Sequence, residues 1–103
     1  MIKHIVFFTV VDGFEGLTKI ELCNRIKNEL EGLKEVIPQL NKIEVGINKP
    51  DAPQGNYDLA LYSEFDSMKA LDDYQVHPEH QRVAAFIGKV KTGRACVDYE
   101  TNH

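Results

Sequence analysis

The sequence contains no tryptophan, only two cysteines and no long apolar run. Cys23 and Cys96 lie in periodic segments without a Cys-x-x-Cys motif, so we expect free, buried thiols in a reducing compartment, the cytoplasm. No stretch approaches the roughly 20 apolar residues that a membrane helix needs, and no membrane partner is expected. The 103 residues fit a single domain, 1–103.

Positive charge is also scarce, because 12 Lys and Arg stand against 16 Asp and Glu without forming a basic stripe. A nucleic-acid partner is therefore not expected. The sequence has no glycine-rich phosphate loop and no Gly-x-Ser-x-Gly motif, so no nucleotide, flavin or other cofactor is predicted. His77, Glu79 and His80 are possible metal ligands, but Pro78 lies between them and a further ligand is lacking. No metal site is predicted.

Periodicity and turn residues predict the order of the elements. A capping box formed by Thr18 and Glu21 starts a helix that Pro38 ends, and Pro78 divides a second helical region in two. Alternating or β-branched residues predict four strands, at 2–11, 40–48, 57–65 and 94–100. The order β-α-β-β-α-β predicts a ferredoxin-like α+β fold, with helices on one face of a four-stranded antiparallel sheet.

The sheet face that the helices leave open is also apolar. Two helical regions cover only one face, and an exposed apolar patch of this extent is typical of an interface. We therefore expect a homodimer in which two sheets pack face to face as a dimeric α/β barrel. A solvated face with scattered apolar residues is the simpler alternative. The predicted interface residues are Ile5, Phe7, Tyr62, Val97 and Tyr99.

Reactive side chains concentrate at the proline break between the last two helical pieces. Tyr74 ends one piece and His80 begins the next, so both are expected to point under the helices. A histidine titrates near neutrality, and a tyrosine hydroxyl can donate to a developing oxyanion. Asp98 shares the strand parity of Cys96 and is expected to reach His80 and fix its tautomer. The three side chains together predict a general base.

Each of these residues also has a simpler interpretation. Tyr74 lies at core spacing from Leu71 and fits a packed aromatic residue, and Asp98 fits a surface charge. Apolar residues flank His4 on the helix-facing side of the first strand, which is typical of a core histidine with satisfied hydrogen bonds.

Three segments, 1–8, 74–80 and 96–99, resemble the stress-responsive dimeric α/β-barrel (Dabb) family. The resemblance covers essentially the whole chain, and Tyr-x-x-His-Pro-x-His at 74–80 is its most specific part. It implies the ferredoxin-like fold and a homodimer. A plant branch of the family includes cofactor-free polyketide cyclases that catalyse an intramolecular aldol condensation. The positions that match its catalytic residues are Tyr74, His80 and Asp98; His4 is retained, whereas Leu30 and Leu59 replace an aromatic residue and a histidine.

Two hypotheses from different classes follow. In the first, His80 removes an acidic proton next to the carbonyl of a small, largely apolar compound while Tyr74 holds the oxygen. In the second, the chain is a non-catalytic dimer that binds a small ligand or a protein under stress. Cofactor-free oxygenation is a third possibility, based only on fold analogy. The predicted pocket residues are His4, Val6, Phe8, Ile26, Leu30, Leu59 and Phe86.

Overall fold

Four strands form one antiparallel sheet in the computed structural model, which describes residues 1–102; His103, the last residue of the predicted domain, lies outside the described residues. The strands are β1 (Ile2–Val10), β2 (Lys42–Ile47), β3 (Leu59–Phe65) and β4 (Lys91–Glu100). The helices are α1 (Lys19–Glu31), α2 (Met68–Val76) and α3 (Pro78–Val90). The sheet order is β2-β3-β1-β4, so the predicted ferredoxin-like α+β fold is confirmed.

The predicted capping box starts α1. Thr18 Oγ1 accepts a hydrogen bond from the Glu21 backbone N–H at 3.3 Å, and Glu21 Oε1 accepts one from the Thr18 N–H at 2.9 Å. The helix ends well before Pro38, because a 3₁₀ turn, Gly32–Glu35, follows Glu31 directly. Leu33 and Ile37 remain buried after the α-helix has ended, and this explains why apolar spacing predicted a longer helix.

His77 forms the break between α2 and α3. Its extended backbone caps both helices, and its Nδ1 accepts a hydrogen bond from the Glu79 backbone N–H at 3.1 Å. Pro78 follows at the first helical position, where its missing N–H removes no helical hydrogen bond. The His77 imidazole therefore works as a helix cap.

Side chains of α1 cover the free edge of β2. Glu31 Oε2 accepts a hydrogen bond from the Val45 N–H at 3.0 Å, and Lys27 Nζ donates to the Val45 carbonyl at 2.5 Å and to Glu31 at 2.8 Å. Lys27, and then the Val45 N–H, lower the pKa of the Glu31 carboxyl. Both outward-facing backbone groups of Val45 are thereby satisfied, which blunts one sheet edge.

The two faces of the sheet differ as predicted. The helix-facing side supplies much of the buried core, including Val6, Phe8, Val45, Leu61 and Phe65. On the opposite side Phe7, Val97 and Tyr99 are exposed, and Ile5 and Tyr62 are half-buried. None of the helices within residues 1–102 has the length and apolar character required to span a bilayer.

Candidate functional site

A cavity of about 180 Å³ lies between the sheet and α3, beside β4. Its position follows from the broken helical cover, because the helix-facing residues Arg94, Cys96 and Asp98 of β4 remain exposed. The lining combines apolar core residues with imidazole, amide and cationic side chains. The lining residues are His4, Val6, Phe8, Leu30, Leu61, Gln75, His80, Ala84, Ile87, Lys91 and Arg94.

His80 enters this lining from the first turn of α3. Its Nδ1 lies 3.1 Å from the Gln75 backbone carbonyl. A carbonyl only accepts hydrogen bonds, so Nδ1 carries the proton and Nε2 of the neutral ring keeps a free lone pair. Burial lowers the pKa of His80, and the His4 and His77 imidazoles lower it further. The hydrogen bond to the Gln75 carbonyl opposes this lowering of the pKa, but burial is the largest effect and favours the neutral form that a proton acceptor needs.

Asp98 contacts His4 and not His80. His4 Nδ1 and Asp98 Oδ1 are 2.5 Å apart, and the two residues lie directly opposite each other in the β1–β4 pairing. Opposed residues of neighbouring strands project to the same face within contact distance, whereas His80 lies on a helix above the sheet. The predicted Asp98–His80 pair is therefore wrong. The Asp98 carboxylate instead fixes the tautomer of His4. Knowledge of the β1–β4 register alone would have indicated this pair.

Tyr74 packs behind His80. Its side chain is fully buried, and its ring lies 4.5 Å from the His80 ring and 4.9 Å from the Phe65 ring, measured between centroids. Burial raises the pKa of its hydroxyl above the ordinary tyrosine value. That hydroxyl has no hydrogen-bond partner among residues 1–102, and Tyr74 is not part of the cavity lining. Its contact with a substrate oxygen stays a prediction.

The predicted pocket is correct in part. His4, Val6, Phe8 and Leu30 line the cavity. Three predicted residues do not. Ile26 and Leu59 are enclosed in the core, and Phe86 turns towards α1, where the Arg25 guanidinium lies 3.9 Å from its ring centre.

Sequence reasoning missed three polar residues of the lining, Gln75, Lys91 and Arg94. Arg94 has the same strand parity as Cys96 and Asp98, so the alternation that placed Asp98 on the helix side also applies to Arg94. No comparable signal was available for Gln75 or Lys91, whose positions depend on the helix break and on the start of β4.

The possible metal ligands that lie closest together are His4, Cys96 and Asp98, whose ligand atoms fall within 4.8 Å of one another. The Cys96 Sγ lies 3.8 Å from His4 Nδ1 and from Asp98 Oδ1. The hydrogen bond between His4 and Asp98 already uses both of those atoms. Burial, and then the Asp98 charge, raise the pKa of the Cys96 thiol, which disfavours the thiolate that binds metals. We assign this group as a hydrogen-bonded pair beside a neutral thiol. Cys96 is exposed, which corrects its predicted burial.

Among residues 1–102, the larger depressions hold one predicted site residue, Leu59, which borders a depression of about 480 Å³ beside the loop at 48–56, and none of them holds His4, His80 or Asp98. One of about 720 Å³ lies between α1 and α3 and is lined mainly by charged and amide side chains. Another of about 440 Å³ lies between α1 and the loop at 48–56. The small cavity beside β4 is therefore the candidate site, because its lining combines His4 and His80 with apolar side chains.

Comparisons with known proteins identify the family. The model of the stress responsive A/B barrel domain, Dabb, matches residues 2–101. The chain belongs to the Dabb family. A search of curated proteins found no match for this Dabb chain.

Solved structures agree with this assignment. A dimeric protein of unknown function from Bacteroides fragilis is 39% identical, with a TM-score of 0.85 over 97% of this Dabb chain and 95% of the other. A dimeric ferredoxin-like protein of unknown function from Thermobifida fusca is 28% identical, with a TM-score of 0.81 over 97% and 90%. A hydroxynitrile lyase from Passiflora edulis, 17% identical with a TM-score of 0.78 over 99% and 94%, shows the shared fold alone.

Proposed function

We propose that this Dabb protein is a cofactor-independent enzyme that removes a proton from a carbon next to the carbonyl of a small compound. The observation that carries the proposal is the pair of imidazoles in one cavity. His4 and His80 both line it, and each has its Nδ1 tied to an oxygen, of Asp98 and of the Gln75 carbonyl respectively. An imidazole with its proton on Nδ1 has Nε2 as its proton acceptor.

His80 is the proposed base because its burial favours the neutral ring. Its Nε2 takes the proton as the C–H bond breaks, and the electron pair moves onto the carbonyl oxygen to give an enolate. The imidazolium then returns the proton to carbon, or the enolate carbon bonds to a second carbonyl carbon, whose π electrons move onto its oxygen, and that alkoxide takes the proton from the imidazolium, as in an aldol reaction. Tyr74, on the far side of the His80 ring, remains the predicted donor to the enolate oxygen. Acid-base assistance of this kind contributes about 10²–10⁴ in rate.

The test is exchange of α-protons for deuterium in D₂O, followed by proton NMR on a panel of small ketones. We expect the protein to accelerate exchange and His80→Gln to lower the rate at least about tenfold, because the base is removed. The matched control is His77→Asn, which removes another imidazole of the same segment but keeps a side chain able to cap α3. Full exchange in His80→Gln, or no exchange above buffer for the whole panel, would contradict the proposal.

A non-catalytic, ligand-binding dimer is the second candidate. It is favoured by Tyr74, a predicted catalytic group that does not belong to the cavity lining and whose hydroxyl is buried. The same NMR samples distinguish the two functions. Ligand-induced shifts at the lining without any deuterium exchange would support binding alone.

We further propose that the unit is a cytoplasmic homodimer formed through the outer sheet face. The relatives from Bacteroides fragilis and Thermobifida fusca are described as dimeric, and Phe7, Val97 and Tyr99 expose an apolar surface on that face. Ile5 and Tyr62 complete the proposed interface. Both cysteines are free, which supports a reducing compartment.

Light scattering after size exclusion tests this interface. Val97→Arg is expected to give a monomer, because it places a charge between the exposed apolar residues Phe7 and Tyr99 of that face. Val76→Arg is the matched control, since Val76 is at least as exposed but lies on α2, and it is expected to stay dimeric. A wild-type monomer of 11.7 kDa at micromolar concentration would contradict the proposal.

A further inference from the structure

We propose that the cavity beside β4 selects carbonyl compounds that carry a carboxylate, and that Lys91 and Arg94 hold this carboxylate at the mouth. The inference rests on the proposed function of the site and defines the class of compound it accepts. It departs from the largely apolar ligand that the sequence predicts.

The charges around the cavity favour an anion. Lys91 and Arg94 line it, and no Asp or Glu belongs to the lining. Within residues 1–102 neither cation has a carboxylate partner, whereas Lys27 pairs with Glu31 and Arg82 with two glutamates. Asp98, which lies on the same strand, is already bonded to His4. The chain as a whole carries a net charge of −4, so this mouth is positive against an acidic background.

The strand register places the two kinds of polar group towards different ends of the cavity. Arg94 lies opposite Phe8 and Lys91 opposite Val10, whereas Asp98 lies opposite His4. His4 and Phe8 are four residues apart on β1, which corresponds to about 13 Å along the strand. The side chains of Lys91 and Arg94 are long, and this reduces the distance between their cationic groups and the imidazoles of His4 and His80. A ligand can therefore present its carbonyl to His4 and His80 while its carboxylate meets the cations.

Cavity size limits the ligand. A volume of about 180 Å³ equals about six water volumes of roughly 30 Å³ each. This favours a short oxo acid whose carbon chain contacts Val6 and Phe8. Arginine binds a carboxylate through two parallel N–H donors, and lysine adds a point charge. Because both residues are exposed, the preference for the anion is expected to be modest and sensitive to salt.

The experiment compares 4-oxopentanoate with 4-oxopentanamide, an uncharged analogue of the same shape. Binding to the intact protein is measured by protein-observed NMR titration at pH 7. We expect the acid to bind about five- to tenfold more tightly than the amide at low salt. This preference is expected to shrink in 0.5 M NaCl and in Arg94→Gln or Lys91→Gln. Lys89→Gln is the matched control and is expected to keep the preference, since Lys89 is exposed but lies outside the lining.

Equal affinity for acid and amide would overturn the inference, as would an unchanged preference in both Arg94→Gln and Lys91→Gln or no binding of either compound. Binding is read without turnover, so the two proposals fail separately. A preference for the acid without α-proton exchange in any ketone of the panel contradicts only the proposed proton transfer. Exchange on neutral ketones together with equal affinity for acid and amide contradicts only the carboxylate selectivity.

Discussion

The two halves of the fold have the same element order but close their cores differently. In the first half α1 is continuous, and its Lys27 and Glu31 side chains seal the edge of β2. In the second half His77 and Pro78 break the helical cover, and the helix-facing side chains of β4 stay exposed. The closed half contributes mainly apolar packing, whereas the open half holds His80 and the cavity. The reactive side chains therefore lie mainly where the helices leave the sheet uncovered.

The largest expected contrast is in the cost of removing core volume. Ile26 in the closed half is fully enclosed, whereas Ile87 lines the cavity and already lacks neighbours on one side. We expect Ile26→Ala to lower the free energy of unfolding by about 3–4 kcal/mol and Ile87→Ala by about 1–2 kcal/mol. Urea denaturation at one fixed protein concentration measures both changes. Equal losses would mean that the second half is as tightly packed as the first.

A smaller effect is expected at the sealed edge. The pKa of Glu31 is lowered in the folded chain, so its contribution to stability is present above the ordinary value of 4.5 and is lost as the pH falls through the folded value. The side chain is about one-third exposed, and we expect Glu31→Gln to cost under about 1 kcal/mol at pH 7. This loss is expected to shrink towards pH 3.5. Glu35→Gln, an exposed neighbour beyond the end of α1, is the control that is expected to change little.

The smallest expected effect is a pH shift in the open half. Because burial and the His4 and His77 imidazoles lower the pKa of His80, the exchange rate of α-protons is expected to rise with pH to a plateau. Its midpoint is expected below the ordinary histidine value of 6.5. The Gln75 carbonyl opposes this shift, and the Tyr74 ring contributes to the burial. His77→Asn is expected to raise the midpoint by less than about one pH unit. A midpoint above 6.5 in the wild type would contradict a buried, neutral His80.

The features predicted correctly from the sequence depend on local signals. The capping box at Thr18 and the helix break at Pro78 are each set within a few residues, and strand alternation correctly separated Val6 and Phe8, on the helix side, from the exposed Phe7. Asp98 was paired with the wrong histidine because parity gives the face of a strand but not its register. Pro78 predicted the break in the helical cover, but not the cavity, because the part of β4 left uncovered depends on how α3 packs on the sheet.

The hydrogen bond between His4 and Asp98 joins residues 94 positions apart, one on the first strand and the other on the last. During synthesis His4 leaves the ribosome early, whereas Asp98 follows only after almost the entire chain has been made. Contacts so distant in sequence tend to form late in folding. The strands β1, β2 and β3 pair with one another without β4, so this part of the sheet can form while the site is still incomplete. Docking of β4 against β1 then orients His4. This part of the candidate site therefore forms only at the end of folding.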